Sequence, residues 1–311
     1  MENNNVYCII VTYNAMKWLD KCLGSLATSS VKIHPIIIDN ASKDKTVSYI
    51  TEFYPKVHLI CNDTNRGFGQ ANNQGIEYAY KQGATHFFLL NQDAWIYEDT
   101  VEKLITVQDK YNIALVSPIH LNGQGDLLDY NYFVKVVINE MNREYISDLI
   151  LNKIKPYYTV FKINAAAWML SRETIERIGG FDPIYFHYGE DGNYCQRIRF
   201  HNGEVAFVSD SYMHHDRERQ GNMKVYKKNA TIMNLLFLYS DVNNSIWKID
   251  KNKVILHLSN IKLALSFLFS LKFRELANLS GSYFSFFIKF PRMLRNMRLN
   301  KQIGSTWLNL D

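Results

Sequence analysis

The sequence predicts an α/β protein with a mixed, mostly parallel sheet flanked by helices and a helical extension at its C-terminal end. Three observations carry this. Strand-like and helix-like segments alternate over the first ninety residues, polar residues follow each apolar strand directly, and the charge balance changes sign near residue 220. With 311 residues, 47% of them hydrophobic, the chain has material for one large core and an appendage.

Apolar runs rich in β-branched and aromatic residues occur at Tyr7–Thr12, Ile33–Ile38, Val57–Cys61 and His86–Leu90. Helical patterning separates them at Ala15–Leu26, Thr46–Phe53 and Gln70–Gln82. This alternation calls for right-handed crossovers between parallel strands, and ligands of such sheets collect at the carboxyl ends of the strands. Thr12–Asn14, Asp39–Asn40, Asn62–Gly69 and Asn91–Asp93 therefore fall along one edge. From Tyr111 to Lys162 the pattern is irregular and reads as a variable insertion. Regularity returns at Asn164–Leu170, followed by a helix Arg172–Ile178, a Gly179–Gly180 stop, a helix running up to Gly203, and a final strand Glu204–Val208.

The extension differs in charge. Residues 1–220 hold 21 Lys+Arg and 26 Asp+Glu, leaving 14 and 4 of the chain's 35 and 30 for residues 221–311. Two domains are expected accordingly, 1–220 and 221–311. A basic segment attracts anionic surfaces, although a solvated helical face accounts for it as well. Val254–Phe269 and Ser282–Arg298 are apolar and aromatic with interspersed Lys and Arg. Their unbroken apolar runs fall short of the roughly 20 residues that cross a bilayer. They read as amphipathic helices lying on a membrane, or pairing between two chains as a homodimer. No nucleic-acid motif is present, which argues against a nucleic-acid partner. Four cysteines, Cys8, Cys22, Cys61 and Cys195, lack any CxxC spacing, so neither a disulfide framework nor a zinc site is indicated. With no signal-peptide pattern before VYCIIVTYN, a cytoplasmic location is expected.

The strand ends carry the chemistry. Asp39 after the second strand suits a ribose hydroxyl or a base N–H, with the Tyr13 ring beside it; helix capping by Asn40 or Ser42 is the plainer alternative. In NDTNRGFGQANNQG, Gly67 and Gly69 let the backbone approach a ligand and Arg66 offers a guanidinium to phosphate. The same glycines partly match a dinucleotide fingerprint, with Asp93 as the ribose acid; Asn72 stands where the third glycine belongs, and the loop follows the third strand, not the first. Asp93, flanked by Asn91 and Gln92, is a hard oxygen ligand for a divalent cation bridging two phosphates, or simply a cap for the next segment. Glu190 and Asp191 open a helix whose positive end favours an ionised carboxylate fit to accept a proton, a position where acids also serve as ordinary caps. His214–His215 adds a nitrogen donor after the last strand, unless it is only a surface pair.

Taken together, IIVTYN, IIIDNASKDKT, NRGFGQANNQGI, FFLLNQD, AAAWMLSRETIERIGGFD and YGEDGNYCQR resemble glycosyltransferase family 2, the inverting nucleotide-sugar transferases of the Rossmann-like GT-A fold, in particular bacterial rhamnosyltransferase-like members. The resemblance covers residues 5–218. It implies Asp191 as the catalytic base, and Thr12, Tyr13, Asn14, Asp39, Asn40, Asn65, Arg66, Gly67, Asn72, Asn91, Gln92, Trp168 and Glu190 as the donor-binding set, with Ala165–Trp168 a wall beneath the acceptor. Asp93, His214 and His215 would hold a divalent metal, Mg2+ or Mn2+. The family's first metal-binding acid is Asn91 here, and the second acid that often follows the base is Asn193. The partners implied are a UDP-, dTDP- or GDP-linked sugar, a glycan or lipid-linked oligosaccharide acceptor of bacterial surface polysaccharide, and the inner face of the cell membrane. The competing reading is an NAD(P)-dependent oxidoreductase or epimerase using Gly67 and Gly69.

Overall fold

The structure, a computed structural model, describes residues 4–138, 143–217, 221–248 and 250–311, with the backbone alone for 221–229. Strand β1 (Val6–Thr12) is covered on both faces, which is why it reads as a continuous apolar run with no alternation. Helices α1 (Leu19–Ala27), α2 (Thr46–Phe53) and α3 (Phe68–Lys81) carry the chain back between β1, β2 (Ile33–Asp39), β3 (His58–Cys61) and β4 (His86–Asn91). These four strands are mutually parallel, with Thr12 level with Asp39, Val11 level with Asn91 and Asp39 level with Cys61. The register brings the polar strand ends to one height on one edge.

The chain continues through β5 (Ala94–Ile96), α4 (Thr100–Tyr111), β6 (Leu115–Asn122) and the turn α5 (Tyr130–Tyr132), which runs into a π-helical turn at Phe133–Val137. Then come α6 (Arg143–Ile150), β7 (Tyr157–Thr159), β8 (Ala167–Ser171), α7 (Arg172–Ile178), α8 (Glu190–Phe200) and β9 (Val205–His215). The sheet order is β3-β2-β1-β4-β8-β6-β9-β5, with β7 added on β9. β8 is antiparallel to both β4 and β6, so the sheet is mixed where the two halves meet.

Two segments differ from the sequence reading. The expected insertion at 111–162 contains β6, a central strand. Pro118 lies where the β6–β9 register shifts, and the bulge and inward polar side chains Ser117 and His120 conceal the strand pattern. The last strand was expected to end at Val208 but runs to His215. Beyond Val208 its inward positions are Ser209, Ser211, Met213 and His215, and serines facing the core disguise the alternation.

The extension forms α9 (Gly221–Tyr239), α10 (Lys251–Phe269) and α11 (Phe273–Asn300). It is fastened to the body at several points. Leu235, Leu236, Phe286, Met293 and Met297 bury themselves against Ile184 and Tyr185. The buried Asp182 carboxylate accepts from Asn296 (2.6 Å) and Asn300 (2.8 Å). Beyond α11 the chain returns to the body, where the Thr306 carbonyl accepts from the Gly180 N–H at 2.8 Å. A β-carbon on Gly179 (φ +78°) would lie 2.1 Å from that carbonyl oxygen, so this close approach needs glycine.

Candidate active site

At the β1–β2 end, Thr12 Oγ1 donates to Asp39 Oδ1 (2.9 Å) and the Ser42 N–H donates to Asp39 Oδ2 (2.9 Å). Asn14, at φ +54°, receives the Lys43 N–H on Oδ1 (2.7 Å) while its own N–H donates to Ser42 Oγ (2.8 Å). The loop after β1 and the loop after β2 are thereby locked together around a buried carboxylate. Tyr13, half of its surface exposed, is held from β4 by its N–H donating to Gln92 Oε1 at 2.7 Å.

Asn40 organises the loop after β3. Its Nδ2 donates to the Gly67 carbonyl (3.1 Å), and its Oδ1 accepts from Asn62 Nδ2 (3.1 Å) and the Arg66 N–H (3.3 Å). Asn65 Oδ1 accepts the Gly67 N–H at 2.8 Å, which leaves the Arg66 side chain exposed. The glycines of this loop serve packing: a β-carbon on Gly67 would lie 2.0 Å from the Phe186 carbonyl oxygen, and one on Gly69 would lie 2.8 Å from Phe181 Cβ. Their faces are filled by protein, contrary to the cradle a dinucleotide pyrophosphate needs. Asn72 is buried and donates to the Phe68 carbonyl (3.0 Å), a bond within its own helix that turns it away from a ligand.

Beyond β4, Asp93 and His215 face each other, with Asp93 Oδ1 3.3 Å from His215 Nε2. Burial raises the Asp93 carboxyl, but His215 and Arg217 outweigh it and hold the pKa below the usual value. Behind them the buried Asp129 carboxylate accepts from Arg217 Nε at 3.0 Å and lies 4.0 Å from His215 Nδ1. The His120 ring meets His215 edge-on at 6.1 Å; burial, with His215 and Arg217 nearby, pushes it far below the ordinary histidine range, so it stays neutral. His214 points the other way, stacked on Trp95 (5.1 Å) and Tyr97 (4.9 Å). Strand alternation alone places His215 in the cleft and removes His214 from it.

The third portion of the edge is the start of α8. Tyr188 (φ +68°) and Gly189 (φ +96°) both take left-handed backbone immediately before Glu190 and Asp191. Tyr188 lies within electrostatic range of Arg217, Glu190 and Asp93, so the strand-end carboxylate and the helix-start pair share one cleft. Glu190 is buried with Oε2 unpartnered, and burial together with Asp191 pushes its pKa up to about 8. Asp191 is half-buried and its Oδ1 accepts the Gly192 N–H at 2.7 Å. Lys135, from the π-helical turn, is in range of Asp191, Lys162, Arg217 and Asp129. Trp168, expected in the wall, is fully buried between Phe181 and Tyr194; its pairing with Leu89 inside the sheet makes it a support beneath the cleft with no surface for a ligand.

Asp129, Arg217, His120 and Lys135 do not stand out in the sequence: none belongs to a recognisable motif, and they reach the cleft through segments whose pattern is irregular or points to no element. Tyr188 opens the YGEDGNYCQR motif, but nothing local marks it as the residue between the two acidic groups. A separate cleft of about 540 Å3 between α4 and Ile154–Pro156 shares none of these residues.

A mixed α/β sheet thus carries a carboxylate–histidine pair at one strand end, with a tandem acid at a nearby helix start. The profile of glycosyltransferase family 2 matches residues 7–179, and the chain belongs to that family as a glycosyltransferase. It is 27% identical over 258 residues to a dTDP-rhamnosyl transferase of Shigella flexneri, covering 83% of this chain and 84% of the relative. It is also 27% identical over 228 residues to a rhamnosyltransferase of Escherichia coli K12, covering 68% and 84%. Among solved structures, a mannosyltransferase of Pyrobaculum calidifontis in complex with GDP-Man and Mn2+ superposes with a TM-score of 0.55 at 18% identity, over 89% of this chain and 73% of that one. S. aureus TarS with UDP gives 0.53 at 14%, over 81% and 68%. At these identities the structures establish the GT-A-type fold alone.

The raised Glu190 pKa has a stability consequence. A carboxyl whose folded pKa lies above its unfolded value contributes stability that is complete below about 4.5 and is lost as the pH rises through about 8. Glu190→Gln is therefore expected to raise the melting temperature by a few degrees at pH 8.5 and to leave it nearly unchanged at pH 4 relative to wild type, read by differential scanning calorimetry at both pH values.

Proposed function

We propose that the chain is an inverting, metal-assisted glycosyltransferase that moves a sugar from a nucleoside diphosphate to a hydroxyl of a surface-polysaccharide precursor. The observation that carries this is the convergence of Asp93, Arg217 and Glu190 around Tyr188, with His215 on Asp93 and Asp191 beside Glu190. The relatives named for rhamnosyl transfer support a dTDP-linked deoxyhexose as donor, with UDP- and GDP-sugars as the other classes.

In this reading Tyr13 and Asp39 hold the nucleoside, and Arg66 and Gln92 flank the donor. The donor set fits a divalent cation, because the 3.3 Å between Asp93 Oδ1 and His215 Nε2 suits two adjacent ligands of one small ion. Among the described residues no group of three or more acidic, histidine or cysteine side chains could hold a metal, so Asp93 and His215 would be the protein's ligands and the bound donor would have to contribute others. Such an ion, Mg2+ or Mn2+, supplies charge neutralisation at the leaving diphosphate. Asp129 keeps Arg217 in place beside the same charge and lies behind His215.

Asp191 accepts the proton of the acceptor hydroxyl. The oxygen forms a bond to the anomeric carbon from the face opposite the nucleotide, the bond to the diphosphate breaks, and the electron pair leaves with it. One displacement inverts the sugar configuration. Glu190, held neutral near pH 7, adds no second charge beside the base.

The extension serves as the membrane contact of this reading. Phe269, Leu271 and Phe273 are 83%, 72% and 61% exposed where α10 turns into α11, and Lys272 and Arg274 lie among them. Apolar tips ringed by cations suit an anionic lipid surface. Among the described residues no helix is long and apolar enough to cross a membrane. The acceptor is then borne at the inner face of the cell membrane, as a lipid-linked oligosaccharide is.

Asp191→Asn is expected to keep nucleotide-sugar affinity while transfer falls by about 10² to 10⁴; full transfer by this variant contradicts the assigned base. The triple variant Phe269→Ser, Leu271→Ser, Phe273→Ser is expected to release the protein from phosphatidylglycerol vesicles in a flotation assay. Flotation equal to wild type contradicts the membrane contact.

A further inference from the structure

Along α8, starting one residue after Asp191, a groove of about 350 Å3 lies between that helix and the extension where α9 ends and α10 begins. Gly192 lines it, and a β-carbon there would lie 2.6 Å from Phe237 Cε2, so the catalytic helix and α9 meet at this point without a side chain between them. One flank carries Phe161 with the Arg199 guanidinium 4.9 Å from its ring centroid; the other carries Phe237 with Lys162 Nζ at 4.9 Å. Asp241 and Asp250 come from the extension. Two cations and two carboxylates leave the groove near neutrality, unlike a site for phosphate or nucleic acid.

Its polar groups are suited to hydroxyls. Arg199 and Lys162 present donors along an aromatic floor, and Asp241 and Asn244 are linked as acceptor and donor at 2.9 Å, which fixes their orientation. Gln196 donates from Nε2 to the Phe237 carbonyl (3.2 Å) and leaves its buried Oε1 without a partner. A buried acceptor left unpaired has a cost that a ligand hydroxyl would remove. Phe161 is half exposed, giving an apolar ring face beside these groups. Aromatic surface with a few fixed planar polar side chains is the lining that holds and orients a polar ligand.

We propose that this groove binds a neutral oligosaccharide, the sugar units of the acceptor beyond the one that reacts. The inference rests on the transferase reading and extends it. The groove begins one residue from the assigned base: Cys195, inside α8, lies within electrostatic range of Asp191, Arg199 and Lys162 together. An acceptor with its reacting hydroxyl at Asp191 can continue into it. The extension thus completes an acceptor site, and acceptor length is measured by residues outside the family-matched segment 7–179, among them Gln196, Arg199, Phe237 and Asn244.

The test uses the full chain on an array of bacterial surface oligosaccharides, with dTDP-, UDP- and GDP-sugar hydrolysis, and transfer to the array glycans, measured in parallel. Wild type is expected to retain neutral glycans of three or more units and not monosaccharides. Phe161→Ala with Arg199→Gln is expected to weaken that binding by about tenfold, as loss of an aromatic and a charged contact implies, with the hydrolysis KM for the donor unaltered. Asn244→Ala, on the opposite wall, should weaken it in the same direction. Wild-type binding to acidic glycans alone, binding to no glycan, or equal binding by both variants overturns the groove assignment. Absence of both hydrolysis and transfer with all three donor classes in wild type instead overturns the transferase reading, whatever the array binds.

Discussion

The cleft depends on one buried charge arrangement: Asp93 against His215, with Arg217 and Asp129 behind them. A carboxylate as enclosed as Asp93 would be neutralised by protonation if left alone. His215 and Arg217 keep it ionised, and Asp129 keeps Arg217 from drifting out of the cleft. These four residues come from the end of β4, the segment after β6, and the end of β9. Their meeting requires the mixed order β4-β8-β6-β9 and the return of β5 antiparallel to β9. The sheet's irregular half exists in the service of this arrangement, just as its regular half holds Thr12, Asp39 and Asn91 level.

The second constraint is the attachment of the extension. Asp182 receives two amides from α11, and Ile184 and Tyr185 share a cluster with α9 and α11. These residues lie on the segment that leads to Tyr188, Gly189 and the tandem acid. The left-handed backbone before α8 is therefore held from both sides: Gly67 and Gly69 press on Phe186 and Phe181, and the extension presses on Ile184 and Tyr185. The division into a catalytic domain of residues 1–220 and an appendage of residues 221–311 follows composition and charge, while the packing couples the two at the helix that carries Asp191.

What could be read in the sequence follows from how each segment meets solvent. β1, β2 and β4 are buried on both faces and flanked by helices, so their apolar runs declare themselves, and the residues after them mark the edge. The places of Thr12, Asp39 and Asp93 on that edge were legible for that reason, and Asp191 from the tandem acid at a helix start. β6 was not, because a bulge at Pro118 and an inward Ser117 and His120 break its pattern. The far half of β9 was hidden by inward serines; with its period of two recognised, His215 separates from His214 without coordinates. Asn40 and Asn72, which the family resemblance put in the donor-binding set, make hydrogen bonds within the loop after β3 and within α3, and Trp168 lies wholly in the core. Asp129 and Arg217 acquire meaning only when distant segments are brought together, which no local spacing encodes.

In the proposed function the Asp93–His215 end of the cleft holds a nucleotide sugar together with a divalent cation. This is tested most directly by the melting temperature of the chain with dTDP-, UDP- and GDP-sugars, each with Mn2+ and with EDTA, since a ligand that binds the folded state raises its stability. One nucleotide class raising the melting temperature with Mn2+, and losing most of that rise with EDTA or in Asp93→Asn, is the predicted result. A rise indifferent to metal, or a response to NADH with none to any nucleotide sugar, would contradict it.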